Sequence, residues 1–319
     1  MRAVTFPGPG GPEVVIVADR PVRKAGAGEV RIAVKAAAVN PTDIVLREHG
    51  TPDTPPPWVP GMDLAGTVES VGEGVERLCV GDAVMAAVNP RRPEGGAQAE
   101  LVVVPAAAAV AIPEGVSLAA ASTLPMNGLT ARLGIEELAL SAGMTLAVTG
   151  GAGVLASYVI PLAKERGLRV IADAKPEDED LVRRFGADVV VLRGADPAAA
   201  IRAVAPDGVH GVYDTAVLRR AVLPAIRDGG GLAVIRGWDE EGPPGRDIAL
   251  HVVLVRTVLQ RTDWLEELRQ LASAGRLTLR VAREYPPEEA AEAERVMDAG
   301  GLRGRAVIVF QPHADERLR

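Results

Sequence analysis

With 319 residues, 48% of them hydrophobic and 24% charged, the chain has ordinary globular composition and enough length for two domains that each bury a full core. Its net charge of −7 disfavours a nucleic-acid or anionic-membrane surface and leaves small molecules and other protein chains as natural partners. A single cysteine, Cys79, excludes an intrachain disulfide and a cysteine-held zinc, which suits a reducing, cytoplasmic setting, and neither a signal-peptide pattern nor a charge-free apolar stretch of about 18 residues suggests a membrane.

Residues 1–122 read as short valine-rich strands separated by Gly and Pro, at 3–6, 13–18, 29–38, 64–71, 83–87 and 99–104, which predicts an all-β or barrel-like domain. Five prolines within residues 51–60 exclude a helix or an internal strand there and predict a loop of restricted shape, of the kind that walls a pocket. His49 is expected in the loop just before it, where an imidazole could donate a proton. Past residue 122 the pattern changes. Residues 124–140 have helical spacing, and from 145 onward strand candidates at 145–149, 168–172, 189–192, 211–214, 231–235 and 248–254 alternate with helical segments, which predicts a doubly wound parallel sheet. Residues 263–274 read as a closing helix. Strands at 277–283 and 306–310 flank a helix at 288–299 and are expected to rejoin the first domain, and 312–319 reads as a charged, frayed tail.

The most informative stretch is 145–175. An apolar run is broken by Gly150-Gly151-Ala152-Gly153, a helix follows, and a second apolar run begins after Gly167. The turn reads Gly151-x-Gly153-x-x-Ala156, the dinucleotide fingerprint with alanine in its last position. In that reading Gly151 permits the tight turn, Gly153 lets backbone N–H groups approach a pyrophosphate, and Ala156 lets helix and strand pack closely. The second strand ends Ala172-Asp173-Ala174-Lys175, and which side chain faces an adenine ribose depends on a one-residue register. Ala174 at that place would let Lys175, with Arg193 at the end of the next strand, hold a 2′-phosphate and select NADPH; Asp173 there would repel the phosphate and select NADH. Asp214-Thr215 and Arg236-Gly237 fall where strand ends of such a sheet carry ligand-contacting loops. The histidines, His49, His210, His251 and His313, have no metal-binding spacing, and no Gly-x-Ser-x-Gly elbow supports a hydrolase.

Several further motifs occur in order: Val39-Asn40-Pro41-Thr42-Asp43, Pro60-Gly61-Met62-Asp63-Leu64-Ala65-Gly66, Val80-Gly81-Asp82-Ala83-Val84, Gly95-Gly96-Ala97-Gln98-Ala99-Glu100 and Leu124-Pro125-Met126-Asn127-Gly128. Over nearly its whole length the sequence resembles the zinc-independent quinone oxidoreductase branch of the medium-chain dehydrogenase/reductase superfamily. The resemblance implies an α/β protein with a GroES-like β domain (1–122 and 262–319) and a Rossmann domain with a doubly wound parallel sheet (123–261), commonly a homodimer. It implies NADPH rather than NADH, with Ala174 at the ribose and Lys175 and Arg193 at the 2′-phosphate. Cofactor contacts are implied at Asn40, Thr130, Gly151, Gly153, Val154, Thr215 and Gly237 as well. Pocket candidates are Asn40, Asp43, Val45, His49, Met62 and Asn127. No zinc is implied, since Met62 stands where zinc relatives have histidine. Two departures stand out: Val45 replaces a tyrosine that many relatives use as proton donor, and Val154 replaces a second consecutive glycine. The implied activity is hydride transfer from NADPH to a quinone or an α,β-unsaturated carbonyl compound. The alternatives are an enoyl-thioester reductase of a biosynthetic pathway and an NADPH-binding scaffold with reduced catalysis.

Overall fold

Alternating burial along Glu29–Ala38 makes it the central strand of the first sheet: Val30, Ile32 and Val34 face inward while their neighbours are half-buried. In the computed structural model, which describes residues 1–310, this strand pairs antiparallel with Asp63–Val71, Leu101–Pro105 and Arg305–Val309. Ala83–Ala87 and Ala109–Ala111 extend the sheet on one side, and Val281–Tyr285 adds a parallel edge on the other, giving seven strands. The resulting compact unit comprises Met1–Met126, Leu259–Gly275 and the chain from Leu279 onward. Phe6, Leu64, Tyr285 and Ile308 are fully buried in its core.

The second unit, Asn127–Val258 with Arg276–Thr278, holds a six-stranded, wholly parallel sheet. Across it the strands run Val189–Leu192, Arg169–Ala174, Thr145–Val148, Val209–Asp214, Ile226–Val234 and Ala249–Val252. In the unit's own chain order this is 3-2-1-4-5-6, the doubly wound arrangement. The strand order reverses between Thr145–Val148 and Val209–Asp214, so the crevice beyond their C-terminal ends is where such a sheet takes a ligand. Burial on both faces explains the near-continuous apolar runs.

Several local expectations need correction. Residues 13–18 are not one strand: Pro12–Val14 is a 3-10 turn started by proline, and the strand is Ile16–Asp19. The first unit contains a helix, Pro41–His49, so His49 lies in a helix's last turn rather than in a loop. The strand sought at 277–283 is Val281–Tyr285, and the helix sought at 288–299 is a 3-10 turn, Pro287–Glu289, followed by Ala290–Ala299. The tail reading for 312–319, with His313, lies outside the described residues. Among the described residues no helix is long and apolar enough to cross a membrane.

Candidate cofactor and active site

In the second unit the glycine turn joins Thr145–Val148 to the helix Ala156–Glu165. The left-handed residue of the turn is Gly150 (φ 68°), not Gly151. Gly151 is required for a different reason: a Cβ there would sit 2.6 Å from the Asp173 carbonyl oxygen and 3.1 Å from Ala172 Cβ. Its own N–H donates to that carbonyl at 3.1 Å, tying the turn to the neighbouring strand. The Gly153 N–H turns back to the Gly150 carbonyl at 2.7 Å, and fully buried Ala156 begins the helix. Val154 is buried, and its carbonyl accepts the Ser157 hydroxyl at 2.7 Å, so its side chain is packed rather than held out over the turn.

The Asp173 carboxylate accepts the Gly150 N–H through one oxygen and Arg193 Nε, at 2.6 Å, through the other. Strand alternation sends Asp173 to the glycine turn, whereas Ala174 is 2% exposed and its carbonyl accepts the Arg193 N–H at 2.8 Å. Arg193 thus comes to the same turn already paired with an acid. Lys175 is exposed and stands 3.9 Å from Glu177.

At the other side of the switch point, buried Asp214 organises the strand end. It accepts the Thr149 hydroxyl at 2.6 Å and the Arg219 N–H at 2.6 Å, while Thr215 donates to the Thr149 carbonyl at 2.5 Å. Val217 (φ 58°), Arg219 (φ 51°) and Arg236 (φ 61°) all adopt left-handed backbone beyond these strands, and Gly237 follows at φ 82°. Strain of this kind, at about 1–3 kcal/mol per residue, collects at ligand-binding loops. On the helix Pro125–Leu138, Asn127 and Thr130 are buried, and the Thr130 carbonyl receives the Tyr213 hydroxyl at 2.6 Å. Burial pushes the Tyr213 phenol above its ordinary value, and Tyr158 and Tyr285 are as deeply buried, so these side chains serve packing rather than proton donation.

The first unit gathers three fully buried polar residues. Asn40 caps Pro41–His49, in a capping box closed by Asp43, whose carboxylate accepts the Asn40 N–H at 2.8 Å. The same carboxylate accepts the Gly61 N–H at 2.9 Å and Gln98 Nε2 at 3.3 Å. Asn40 Nδ2 donates to Asp63 at 2.7 Å, and the second Asp63 oxygen accepts the Met126 N–H at 2.5 Å. Burial raises Asp43 to about 6 and Asp63 to about 7 against these hydrogen bonds. Met62 is buried beside them, Val45 is half-buried on the helix, and His49 is exposed, its Nε2 4.0 Å from the Glu48 carboxylate. Asp63 is not among the site residues that the sequence motifs imply, although its motif contains it. Its signal is an acid flanked by apolar residues at the start of a buried strand, a setting that demands partners.

This donor set does not fit zinc. The carboxylates are spent on backbone N–H groups, Cys79 is exposed in another part of the unit, and among the described residues no group of three metal-ligating side chains converges. The second unit's turn does fit a dinucleotide, since a glycine turn that opens the helix Ala156–Glu165 lies at the sheet's switch point.

Sheet order, glycine turn and strained strand ends together define a protein built on the pattern of the nicotinamide-dependent dehydrogenases. Comparison with known proteins agrees: residues 26–114 match the alcohol dehydrogenase GroES-like domain and residues 185–308 a zinc-binding dehydrogenase family. An NADPH-dependent alkenal/one oxidoreductase of Arabidopsis thaliana is 30% identical over 88% of this chain and 72% of its own. A 2-methylene-furan-3-one reductase of Solanum lycopersicum is 32% identical over 68% of this chain, which spans 56% of that protein's length. Among solved structures, a mycobacterial protein in complex with NADPH superposes with a TM-score of 0.86 at 27% identity, over 97% of this chain and 100% of the other. A mycobacterial quinone oxidoreductase gives 0.80 at 28% identity over the same shares. The chain belongs to the medium-chain dehydrogenase/reductase superfamily, among its quinone and alkenal oxidoreductases.

Proposed function

We propose that the protein is an NADPH-dependent reductase that passes hydride to a quinone or to the β-carbon of an α,β-unsaturated carbonyl compound, without zinc. The observation that carries this reading is the paired Asp173 and Arg193 at the glycine turn of the switch point. A lone acid there would repel a 2′-phosphate. Arg193 offsets that charge through Nε, which leaves its terminal nitrogens for a phosphate oxygen. Lys175 adds a weaker, exposed cation. NADPH, when bound, supplies the hydride.

The chain's own residues bind and orient. The N-terminus of Ala156–Glu165 receives the pyrophosphate, with Gly151, Gly153, Val154, Thr215 and Gly237 around it. Asn127 and Thr130 serve the nicotinamide side. Asn40, Asp43 and Met62 form the rigid floor of the catalytic domain (1–122 and 262–319), while 123–261 carries the cofactor. Reduction of an enone leaves an enolate and reduction of a quinone a hydroquinonate, both of which water can protonate, so a valine at position 45 is compatible with turnover. The working form is taken as a cytoplasmic homodimer, which sedimentation and cell fractionation test. For the activity, the test is NADPH consumption in the presence of a quinone and enone panel; binding without turnover on any acceptor would overturn it in favour of a scaffold.

A further inference from the structure

A cavity of about 250 Å³ opens in the first unit between residues 20–23 and the segment 92–103. Its lining is largely apolar, with Pro21, Val22, Leu101, Val102 and Val103 among the residues around it, and Val22 is itself an exposed hydrophobic side chain. Its rim is cationic, with Arg20, Arg23 and Arg92 against Glu94. Arg23 is committed, lying 2.6 Å from Glu29 and 3.5 Å from Glu94. The other two guanidinium groups are not. Arg20 makes no side-chain hydrogen bond or ion pair among the described residues, and Arg92 uses only Nε, on the Gly95 carbonyl at 2.9 Å. Arg92 is half-buried, and desolvation holds its guanidinium below the ordinary value although the Glu94 and Glu29 carboxylates act in the other direction.

We infer that this cavity is a binding site for a small monocarboxylate with an apolar body, its carboxylate between Arg92 and Arg20 and its hydrocarbon part on the apolar lining. The charge argument is local: in a chain of net charge −7, two guanidinium groups without carboxylate partners face one cavity. A planar, forked donor matches a carboxylate in two parallel hydrogen bonds. Size decides the class of ligand. The volume lies below the roughly 300–1,000 Å³ of sites for drug-sized molecules, which excludes a dinucleotide and suits a fragment such as an aromatic or short-chain acid. Bare inorganic phosphate would meet the arginines but leave the apolar lining uncovered.

The test is calorimetric titration of the full chain, with and without NADPH, using benzoate, its uncharged isostere benzamide, and inorganic phosphate. Benzoate is expected to bind in both conditions, with benzamide and phosphate roughly tenfold or more weaker. Arg92→Ala should remove benzoate binding. Because that change also frees the Gly95 carbonyl, Arg20→Ala is the cleaner variant: it should weaken benzoate several-fold and leave the melting temperature unchanged. Absence of benzoate binding, equal binding of benzoate and benzamide, displacement by NADPH, or an affinity untouched by both substitutions would overturn the inference.

Discussion

The two polar clusters use the same chemistry in opposite surroundings. In the first unit Asn40, Asp43 and Asp63 are each 0% exposed, and their hydrogen bonds run to backbone N–H groups and to one another. In the second unit Asp173 also holds a backbone N–H, but its other partner, Arg193, is 41% exposed at the side chain. Desolvation makes the first cluster costly to perturb and hence a scaffold. Solvent access lets the second exchange one partner for another, which a ligand site requires. Substitutions should therefore separate the two, with stability lost in the first unit and cofactor affinity lost in the second.

The largest effect is expected where the scaffold holds an ion pair. Arg47 and Glu294, each 1% exposed and 247 residues apart in sequence, meet at 2.6 Å. Removing one partner of a buried pair costs about 3–5 kcal/mol, so Arg47→Leu should lower stability by about that much in denaturant titration while leaving NADPH affinity per folded molecule unchanged. A parallel loss of affinity would break the comparison. Next, Gly151→Ala forces a Cβ against the Asp173 carbonyl, and overpacking of this kind costs about 1–3 kcal/mol. Here affinity should fall as well as melting temperature, read by fluorescence titration with NADPH.

The pH dependence sharpens the same contrast. Burial raises Asp43 to about 6 and Asp63 to about 7, so between the unfolded carboxylate range and these values the folded chain binds more protons than the unfolded one at these two groups. These carboxylates make stability fall as pH rises from about 5 to 7, by about 1 kcal/mol or more, because a tenfold difference in proton affinity at a single carboxylate is already worth about 1.4 kcal/mol, whereas burial holds His210 and His251 below the ordinary imidazole value and acts in the other direction. Two surface carboxylates, Glu69 beside Arg31 and Asp188, where Lys164 outweighs partial burial, are held below their ordinary values and act in the other direction only in more acidic solution. A melting temperature of Asp63→Asn that falls between about pH 5 and 7 as steeply as the parent's would contradict the reading of the first cluster.

Smaller effects belong to the exposed cluster. Arg193→Ala should weaken NADPH roughly tenfold and spare NADH, because the freed Asp173 can accept ribose hydroxyls. Lys175→Ala should weaken NADPH only about two- to threefold, as its charge is exposed and lies near Glu177.

Sequence reasoning succeeded where a periodic signal was long or local. The valine-rich run 29–38 and the glycine turn between apolar runs both translate directly into structure. It failed where a decision turned on one residue or on distant partners. Whether Asp173 or Ala174 turns to a cofactor is a matter of one residue of strand alternation, and the partners that hold Asp173, the Gly150 N–H and Arg193, are distant from it in sequence. The helix Pro41–His49 was hidden among strands although its signal was present, with Asn40 as cap, Pro41 in the first turn and Asp43 closing the box. The Arg47–Glu294 and Asn40–Asp63 contacts join segments with no local relation, so no window of sequence reveals them.

The central claim is that an acid–arginine pair at the glycine turn serves NADPH in a reductase. Steady-state oxidation of NADPH and NADH against one quinone and one enone, measured on the parent chain and on Arg193→Ala, tests it most directly. The account predicts turnover with kcat/KM at least roughly tenfold higher for NADPH, and collapse of that preference in the variant through KM rather than kcat. Equal or better use of NADH by the parent, or a preference untouched by the loss of Arg193, would contradict it.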